Sequence, residues 1–234
     1  MYRHVWRVFQ IDIKSRVNQD RKGADMGKIQ VDTYVVGMVQ TNCYVVSNLE
    51  TKDCIIIDPG ASGQKIAERI KDAGYTPTAV LLTHGHFDHA GAAKTLSDIF
   101  SIPVYAHESE KETLADPQKN VGFLIGANES YHADIYLKDE QVIELADFSI
   151  KVIHTPGHTE GGCCYYIADE DILFSGDTLF AQSVGRTDFP GGSMSAIVRS
   201  IREKLMRLPD DTTVYPGHND ITTIDTERKY NPYL

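Results

Sequence analysis

Three histidines and an aspartate fall within one six-residue segment, His84-Gly85-His86-Phe87-Asp88-His89. The segment directly follows an apolar run, Ala79–Thr83, that is typical of a buried strand. Neutral imidazole is the commonest metal ligand in proteins, and alternate side chains of an extended loop can turn toward one point. The pattern therefore predicts that His84 and His86 bind one metal ion and that Asp88 and His89 face a second.

Three more metal-type side chains share one local plan, in which a strand ends, a glycine turns the chain and a ligand follows. They are His158 after Thr155-Pro156-Gly157, Asp177 after Ser175-Gly176, and His218 after Pro216-Gly217. Strand ends can converge at one edge of a sheet, so the four segments predict a shared metal site. The histidines at 107, 132 and 154 lack this context, and we expect His154 to be packed or hydrogen-bonded. Thr159 is expected to bond within the turn that carries His158.

The signature H-x-H-x-D-H, followed in order by T-P-G-H-T, G-D-T and P-G-H, resembles the metallo-β-lactamase superfamily over about residues 29–220. The resemblance implies an α+β fold, a four-layer αββα sandwich with the site at one edge of its two sheets. By position it implies a first metal ion on His84, His86 and His158. It implies a second on Asp88, His89 and His218, with Asp177 bridging the two.

This ligand set implies two divalent ions as cofactors, with zinc as the first expectation and iron or manganese as alternatives. Two such ions would lower the pKa of a shared water toward about 7 and supply a bridging hydroxide as the nucleophile. Asp88 and Asp177 are the predicted catalytic residues, because they would orient that hydroxide. A small-molecule ester or thioester is the expected substrate.

Two strings, Phe174–Phe180 and Gly185–Phe189, resemble the glyoxalase II-like branch, which cleaves hydroxyacylglutathione thioesters. The resemblance implies that Arg186 holds a substrate carboxylate, although a structural pair with Asp188 explains the same residue equally well. Phe87 and Phe180 are candidates to line an acyl pocket or to pack in the core. Only 16 residues follow His218, so the chain resembles compact single-domain relatives that lack a helical C-terminal domain.

Other functions stay open beside thioester hydrolysis. A mono-iron persulfide dioxygenase would use His84, His158 and Asp177, leaving open positions on the metal for oxygen and sulfur. A non-catalytic metal-binding scaffold is the third reading. The RNA-processing branch would need a large domain between Asp177 and His218, where the chain has 40 residues.

Strands and helices alternate along the part of the chain that must position these ligands. The predicted strands are Ile29–Val36, Asn42–Ser47, Cys54–Asp58, Ala79–Thr83, Gln141–Leu145, Ser149–His154, Cys163–Ala168, Asp171–Ser175 and Thr213–Tyr215. The predicted helices are Ser62–Ala73, His89–Ile99 and Met194–Leu208, the first with Ser62 as N-cap and Gly74 as C-cap. Residues 108–138 give a less regular pattern.

The length of 234 residues and the net charge of −10 limit the other possibilities. They predict one domain over residues 29–234 after an N-terminal extension, residues 1–28, of uncertain order. The negative charge argues against nucleic acid as a partner, and no apolar run is long enough to cross a membrane. The four cysteines, Cys43, Cys54, Cys163 and Cys164, are expected to be reduced and packed, which favours a cytoplasmic location. No oligomeric state is favoured.

Overall fold

The computed structural model describes residues 28–234, so the predicted N-terminal extension lies outside the described residues except for Lys28. The strands are β1 Ile29–Val36, β2 Thr41–Asn48, β3 Asp53–Ile57, β4 Thr76–Leu81, β5 Val104–His107, β6 Ile135–Leu137, β7 Val142–Leu145, β8 Phe148–His154, β9 Cys163–Ile167, β10 Ile172–Gly176, β11 Leu179–Phe180, β12 Ser183–Val184, β13 Thr213–Pro216 and β14 Thr222–Thr223. The α-helices are α1 Gly63–Asp72, α2 Phe87–Ala90, α3 Ala93–Phe100, α4 Lys111–Ala115, α5 Met194–Glu203 and α6 Ile224–Tyr230. Short 3-10 turns cover Glu108–Glu110, Gly122–Ile125, Ala168–Glu170 and Leu205–Arg207.

Two six-stranded sheets form the centre of the molecule. The first has the order β1-β2-β3-β4-β5-β6 and the second the order β14-β13-β10-β9-β8-β7, while β11 and β12 form a small separate hairpin. Every residue of β2 is buried, as expected for a strand that is covered on both faces.

Three buried clusters define the layers. One packs α1 and α3 against the outer face of the first sheet, through side chains such as Ile66, Ile70 and Leu96. A second lies between the sheets and includes Ile55, Leu81 and Tyr165. The third packs α5 against the outer face of the second sheet and includes Ile197 and Ile201. This is the αββα sandwich that the sequence resemblance implies.

Strand direction explains why distant segments meet at one edge. In the second sheet β8 and β10 are both antiparallel to β9, and β10 is parallel to β13, so β8, β10 and β13 all run the same way. Their carboxyl ends therefore lie at the same edge, and each continues into a loop of the candidate site. Two backbone hydrogen bonds join the sheets there, from Cys163 N to Thr83 O at 2.9 Å and from Asn42 N to Gly217 O at 2.7 Å.

The helix predicted over His89–Ile99 is wrong as a continuous element, because it divides into α2 and α3. The N–H of Ala92 donates to Pro59 O at 2.8 Å and so leaves the helical pattern. A side chain at Gly91 would meet the Gly60 carbonyl oxygen at 2.4 Å. A tertiary contact with the loop after β3 thus overrides the helical periodicity.

Smaller corrections concern caps and short strands. Ser62 is the N-cap of α1, but its side chain makes no capping hydrogen bond and its φ is 61°. Ala73 is the C-cap, and Gly74 follows it with a left-handed φ of 74°. Helix α5 begins at Met194 as predicted but ends at Glu203, and Leu205–Arg207 of the predicted range form a 3-10 turn. Residues 108–138 hold a short helix, α4, and a strand, β6, that the sequence pattern did not separate.

The cysteines are free and buried, as predicted. No helix of residues 28–234 combines the length and the apolar character that a membrane span requires.

The hydroxyl of Tyr44 links the first sheet to the site edge of the second by donating to Pro216 O at 2.6 Å, and the side chain is buried. We expect Tyr44→Phe to lower the free energy of unfolding by about 1 kcal/mol, since one buried hydrogen bond is lost while the ring still packs. Urea unfolding of metal-free protein measures this. Tyr230→Phe, at an exposed position, is the control and should change stability by less than about 0.5 kcal/mol. Equal effects of the two changes would contradict the structural link.

Candidate metal centre

Three histidines from two loops place one ring nitrogen each at a common point. His86 Nδ1 lies 3.1 Å from His84 Nε2 and 3.0 Å from His158 Nε2. All three side chains are buried. We call His84, His86 and His158 the first triad, and their spacing suits one metal ion.

A second group lies beside the first. His218 Nε2 is 3.4 Å from His89 Nε2 and 3.3 Å from Asp88 Oδ2. We call Asp88, His89 and His218 the second triad, whose ligand atoms also lie close enough together for one ion. The hydroxyl of Thr41 donates to Asp88 Oδ2 at 3.0 Å and fixes that carboxylate.

Asp177 lies between the two triads. Its Oδ2 is 3.5 Å from His158 Nε2 and 3.6 Å from His218 Nε2, while its Oδ1 is 3.4 Å from His89 Nε2. Both oxygens therefore face ring nitrogens, and one carboxylate touches members of both triads. All seven residues that the sequence analysis selected as ligands thus meet in one place.

The protons of four imidazoles point away from the centre of this cluster. His158 Nδ1 donates to Arg186 O at 2.7 Å, and His218 Nδ1 donates to Gln40 O at 3.3 Å, because a carbonyl oxygen can only accept. His89 Nδ1 bonds Asp58 Oδ2 at 2.9 Å. The hydroxyl of Thr83 donates to Asp58 and so accepts from His84 Nδ1 at 3.1 Å. In the neutral rings the Nε2 atoms facing the cluster then carry lone pairs.

These residues fit divalent cations. Ring nitrogens with lone pairs and carboxylate oxygens lie close together, with too few protons to form hydrogen bonds between them. Asp177 Oδ1 is buried and has no hydrogen-bond partner within residues 28–234. Such a group is costly to bury unless a cation or proton pairs with it. Gly217 leaves room beside it, since a Cβ there would lie 2.3 Å from Asp177 Oδ1.

The electrostatic environments of the two triads differ. Burial lowers the pKa of His84 and of His86 well below the ordinary value, and neighbouring imidazoles lower it further. For His89, burial is outweighed by Asp88, Asp177 and Asp58, which raise its pKa to about 10. The first triad is thus held neutral, and the second attracts positive charge.

Two buried carboxylates at the site were not found by sequence reasoning. Asp58 accepts from His89 Nδ1 and from Thr83, and it follows a buried strand and precedes Pro59-Gly60, a context similar to that of the ligands. Glu110 accepts hydrogen bonds at the two histidine loops, and no pattern in residues 108–138 indicated it. Burial raises the pKa of Glu110 to about 7, against the hydrogen bonds from Thr159, Gly85 and Gly161 that favour its charged form.

Thr159 bonds within the His158 turn as predicted, since its carbonyl accepts from Gly157 N at 2.9 Å, but its role is not only local, because its hydroxyl donates to Glu110, 49 positions away along the chain. The prediction for His154 is confirmed. Its Nε2 bonds Glu160 O at 3.0 Å, and its ring stacks on that of His107 at 4.1 Å between centroids. His132 is exposed and lies 6.4 Å from the ring of Tyr136.

The side chain of Arg186 pairs with a neighbour at the rim of the site. Its guanidinium donates to both carboxylate oxygens of Asp188, at 2.7 and 2.8 Å, and lies 3.9 Å from the centroid of the Phe189 ring. The structural pair that the sequence left open is therefore present. Phe87 and Phe180 are both half-buried, and the ring of Phe180 lies 6.3 Å from that of His218.

A cavity of about 240 Å³ opens beside His218. Val35, Val39 and Ile221 give it apolar walls, and Thr33 and Asn42 contribute polar groups. The cavity walls are therefore mixed in polarity.

The chain is similar to known proteins over most of its length. Residues 36–218 match the family model described as the metallo-beta-lactamase superfamily. A protein of Bacillus subtilis named probable metallo-hydrolase YqgX is 41% identical over 85% of this chain and 94% of its own length. The hydroxyacylglutathione hydrolase GloC of Haemophilus influenzae is 32% identical over 88% of this chain and 98% of its own length.

Solved structures show the same fold. The BLEG-1 B3 metallo-beta-lactamase superposes with a TM-score of 0.83 at 42% identity, covering 87% of this chain and 99% of that one. TTHA1623, solved in a di-iron-bound form, superposes with a TM-score of 0.78 at 33% identity, covering 86% and 99%.

Asp177→Ala removes the carboxylate between the triads. We expect bound metal to fall from about two ions per chain to one or fewer, with a loss of activity of about 100-fold or more, because the bridge and one negative charge disappear. Metal quantification on purified protein and turnover measured in parallel check this.

His154→Ala is the matched control, since it removes an imidazole close in sequence to His158 but outside both triads. Its metal content should equal that of the wild type. Metal loss in this folded variant, or near-normal turnover of Asp177→Ala, would show that the ligands are wrongly assigned.

Proposed function

The chain belongs to the metallo-beta-lactamase superfamily, and from this premise we propose that it is a metal-dependent hydrolase of thioesters, of which hydroxyacylglutathiones are the first candidates. The family and the relatives named as hydrolases support metal-dependent hydrolysis. The similarity to GloC supports the thioester.

One observation carries the proposal: Asp177 faces both triads at 3.4 to 3.6 Å. In the proposed assignment His84, His86 and His158 would hold one divalent ion, Asp88, His89 and His218 would hold another, and Asp177 would contribute to both sites. When bound, such ions lower the pKa of a water and polarise a carbonyl. Zinc is the first candidate, and the di-iron form of TTHA1623 supports iron as another.

The side chains of the protein define the geometry of the reaction. Thr41 holds the Asp88 carboxylate, and Asp177 is held among three imidazoles, so their free lone pairs can accept hydrogen bonds from an attacking water. The water adds to the thioester carbonyl carbon. The carbon–sulfur bond then breaks, leaving a carboxylic acid and a thiol.

Residues at the rim of the candidate metal centre would bind the substrate. Arg186 O accepts from His158 Nδ1, so the Arg186 backbone is tied directly to the first triad. The Phe189 ring under its guanidinium lies 5.7 Å from the ring of His86. A carboxylate of the thiol carrier could exchange with Asp188 for the planar fork of Arg186. Phe87, Phe180 and the cavity beside His218 would contact the acyl group.

A panel of substrates with metal quantification tests the proposal. We expect acylglutathione thioesters to be hydrolysed faster than lactones or β-lactams, with activity lost on chelation and restored by zinc, iron or manganese. About two ions per active chain are expected. One iron per chain with oxygen uptake on glutathione persulfide would instead indicate a dioxygenase, and preferred cleavage of a β-lactam would overturn the thioester.

Arg186→Ala tests the carboxylate contact. We expect the KM for an acylglutathione to rise about tenfold with kcat changed less than about twofold, since one charge-assisted contact in the bound substrate is removed. An acyl-cysteamine, which has no carboxylate, should be hydrolysed equally well by both proteins. Arg199→Ala, on the exposed face of α5, is the control. An unchanged KM would mean that Arg186 serves only its pair with Asp188.

A further inference from the structure

A buried carboxylate outside both triads lies between two of the loops that carry the histidines. Glu110 ends the 3-10 turn Glu108–Glu110 and has no exposed surface. Its Oε2 accepts from Gly85 N at 2.9 Å, and its Oε1 accepts from Gly161 N at 2.9 Å. The hydroxyl of Thr159 also donates to Oε1.

Two glycines bring the three segments this close. A Cβ at Gly161 would lie 2.4 Å from the backbone nitrogen of Glu110, and one at Gly85 would lie 2.9 Å from its Oε2 and 3.0 Å from the nitrogen of Leu114. Any larger residue would push the turn away from a loop. The carboxylate contacts are therefore part of a close backbone approach.

Three donors to Glu110 lie in the loops that carry ligands of the first triad, namely Gly85, Thr159 and Gly161, and Thr113 of α4 also bonds this carboxylate. Gly85 stands between His84 and His86, and Thr159 directly follows His158. The second triad has other supports, namely Asp58 for His89, Thr41 for Asp88 and the Gln40 carbonyl for His218. The Glu110 contacts thus belong to the loops of the first triad, whereas Asp58 supports His89 directly and His84 through Thr83.

We propose that Glu110 is a positioning residue for the first metal triad, because its carboxylate ties the His84–His86 loop to the His158 loop. This rests on the metal centre of the proposed function but not on the thioester. The role requires an acceptor on both oxygens. An amide of the same shape would turn an N–H₂ group toward either Gly85 N or Gly161 N, two groups that can only donate. Either the His84–His86 loop or the His158 loop would then lose its backbone hydrogen bond to residue 110.

Glu110→Gln tests this through zinc affinity, measured by titrating metal-free protein against a chromophoric chelator. In a His218→Ala background, which leaves the first triad intact, we expect Glu110→Gln to weaken zinc binding about tenfold or more. In a His158→Ala background, where the second triad remains, the same change should leave zinc affinity unaltered. Glu108→Gln, an exposed glutamate of the same turn, is the matched control and should alter neither.

The split between backgrounds distinguishes positioning from general destabilisation. Equal weakening in both backgrounds, or no weakening in either, would overturn the inference. Thr159→Val, a smaller change, should weaken the first triad in the same direction if Glu110→Gln fails to fold, and an unchanged affinity in that variant would also overturn it. A wild-type protein that binds no zinc, iron or manganese would overturn the metal centre and this inference with it. Two tightly bound ions with an unaffected Glu110→Gln would overturn the inference alone.

Discussion

Five imidazoles and two carboxylates face one another at the edge of the sandwich. Without a cation between them, the ring lone pairs and the carboxylate oxygens repel one another. Four imidazoles direct a ring proton outward to Asp58, Thr83 or a backbone carbonyl, so in the neutral rings the other nitrogens present lone pairs inward. Asp88 and Asp177 add negative charge. Keeping such groups buried and close requires either positive charge among them or a rigid scaffold, and two metal ions bound to the site would supply the first. The fold supplies the second.

The direction of the strands and the positions of the glycines form that scaffold, and both follow a pattern that is visible in the sequence. The candidate ligands follow the ends of β4, β8, β10 and β13, and four of them come directly after a glycine, namely His86, His158, Asp177 and His218. Because local chain geometry controls this plan, the sequence pattern predicted the converging residues and most strand positions, while the αββα layers were implied by the family resemblance. Long-range contacts controlled what it did not predict. The break between α2 and α3 depends on Pro59 and Gly60, and the strand β5 is only four residues long and lies at Val104–His107.

The two carboxylates that support the candidate ligands, Asp58 and Glu110, show the same limit of prediction from sequence. Asp58 shares the context of the ligands, a buried strand followed by Pro59-Gly60, and that context could have marked it. Glu110 has no such mark, because its partners are 25 and 51 positions away and it lies in an irregular segment. A single sequence gives no measure of which distant backbone N–H groups a buried acid will meet. Arg186 was ambiguous for another reason: one guanidinium suits both a ligand carboxylate and its neighbour Asp188, with which it pairs in the structure.

The supports give the two triads different physical characters. Around the first triad, His84 and His158 donate to a hydroxyl and a carbonyl, and Glu110 acts on the backbone between and beside the ligands. Within residues 28–234, Asp177 is the carboxylate that lies within 4 Å of an inner nitrogen of this triad, so its hold on a cation depends mainly on placing three neutral imidazoles correctly. The second triad contains Asp88, and Asp58 polarises His89 from behind, so charge contributes more to its hold. Asp177 contacts members of both triads, and a change there acts on placement and charge together.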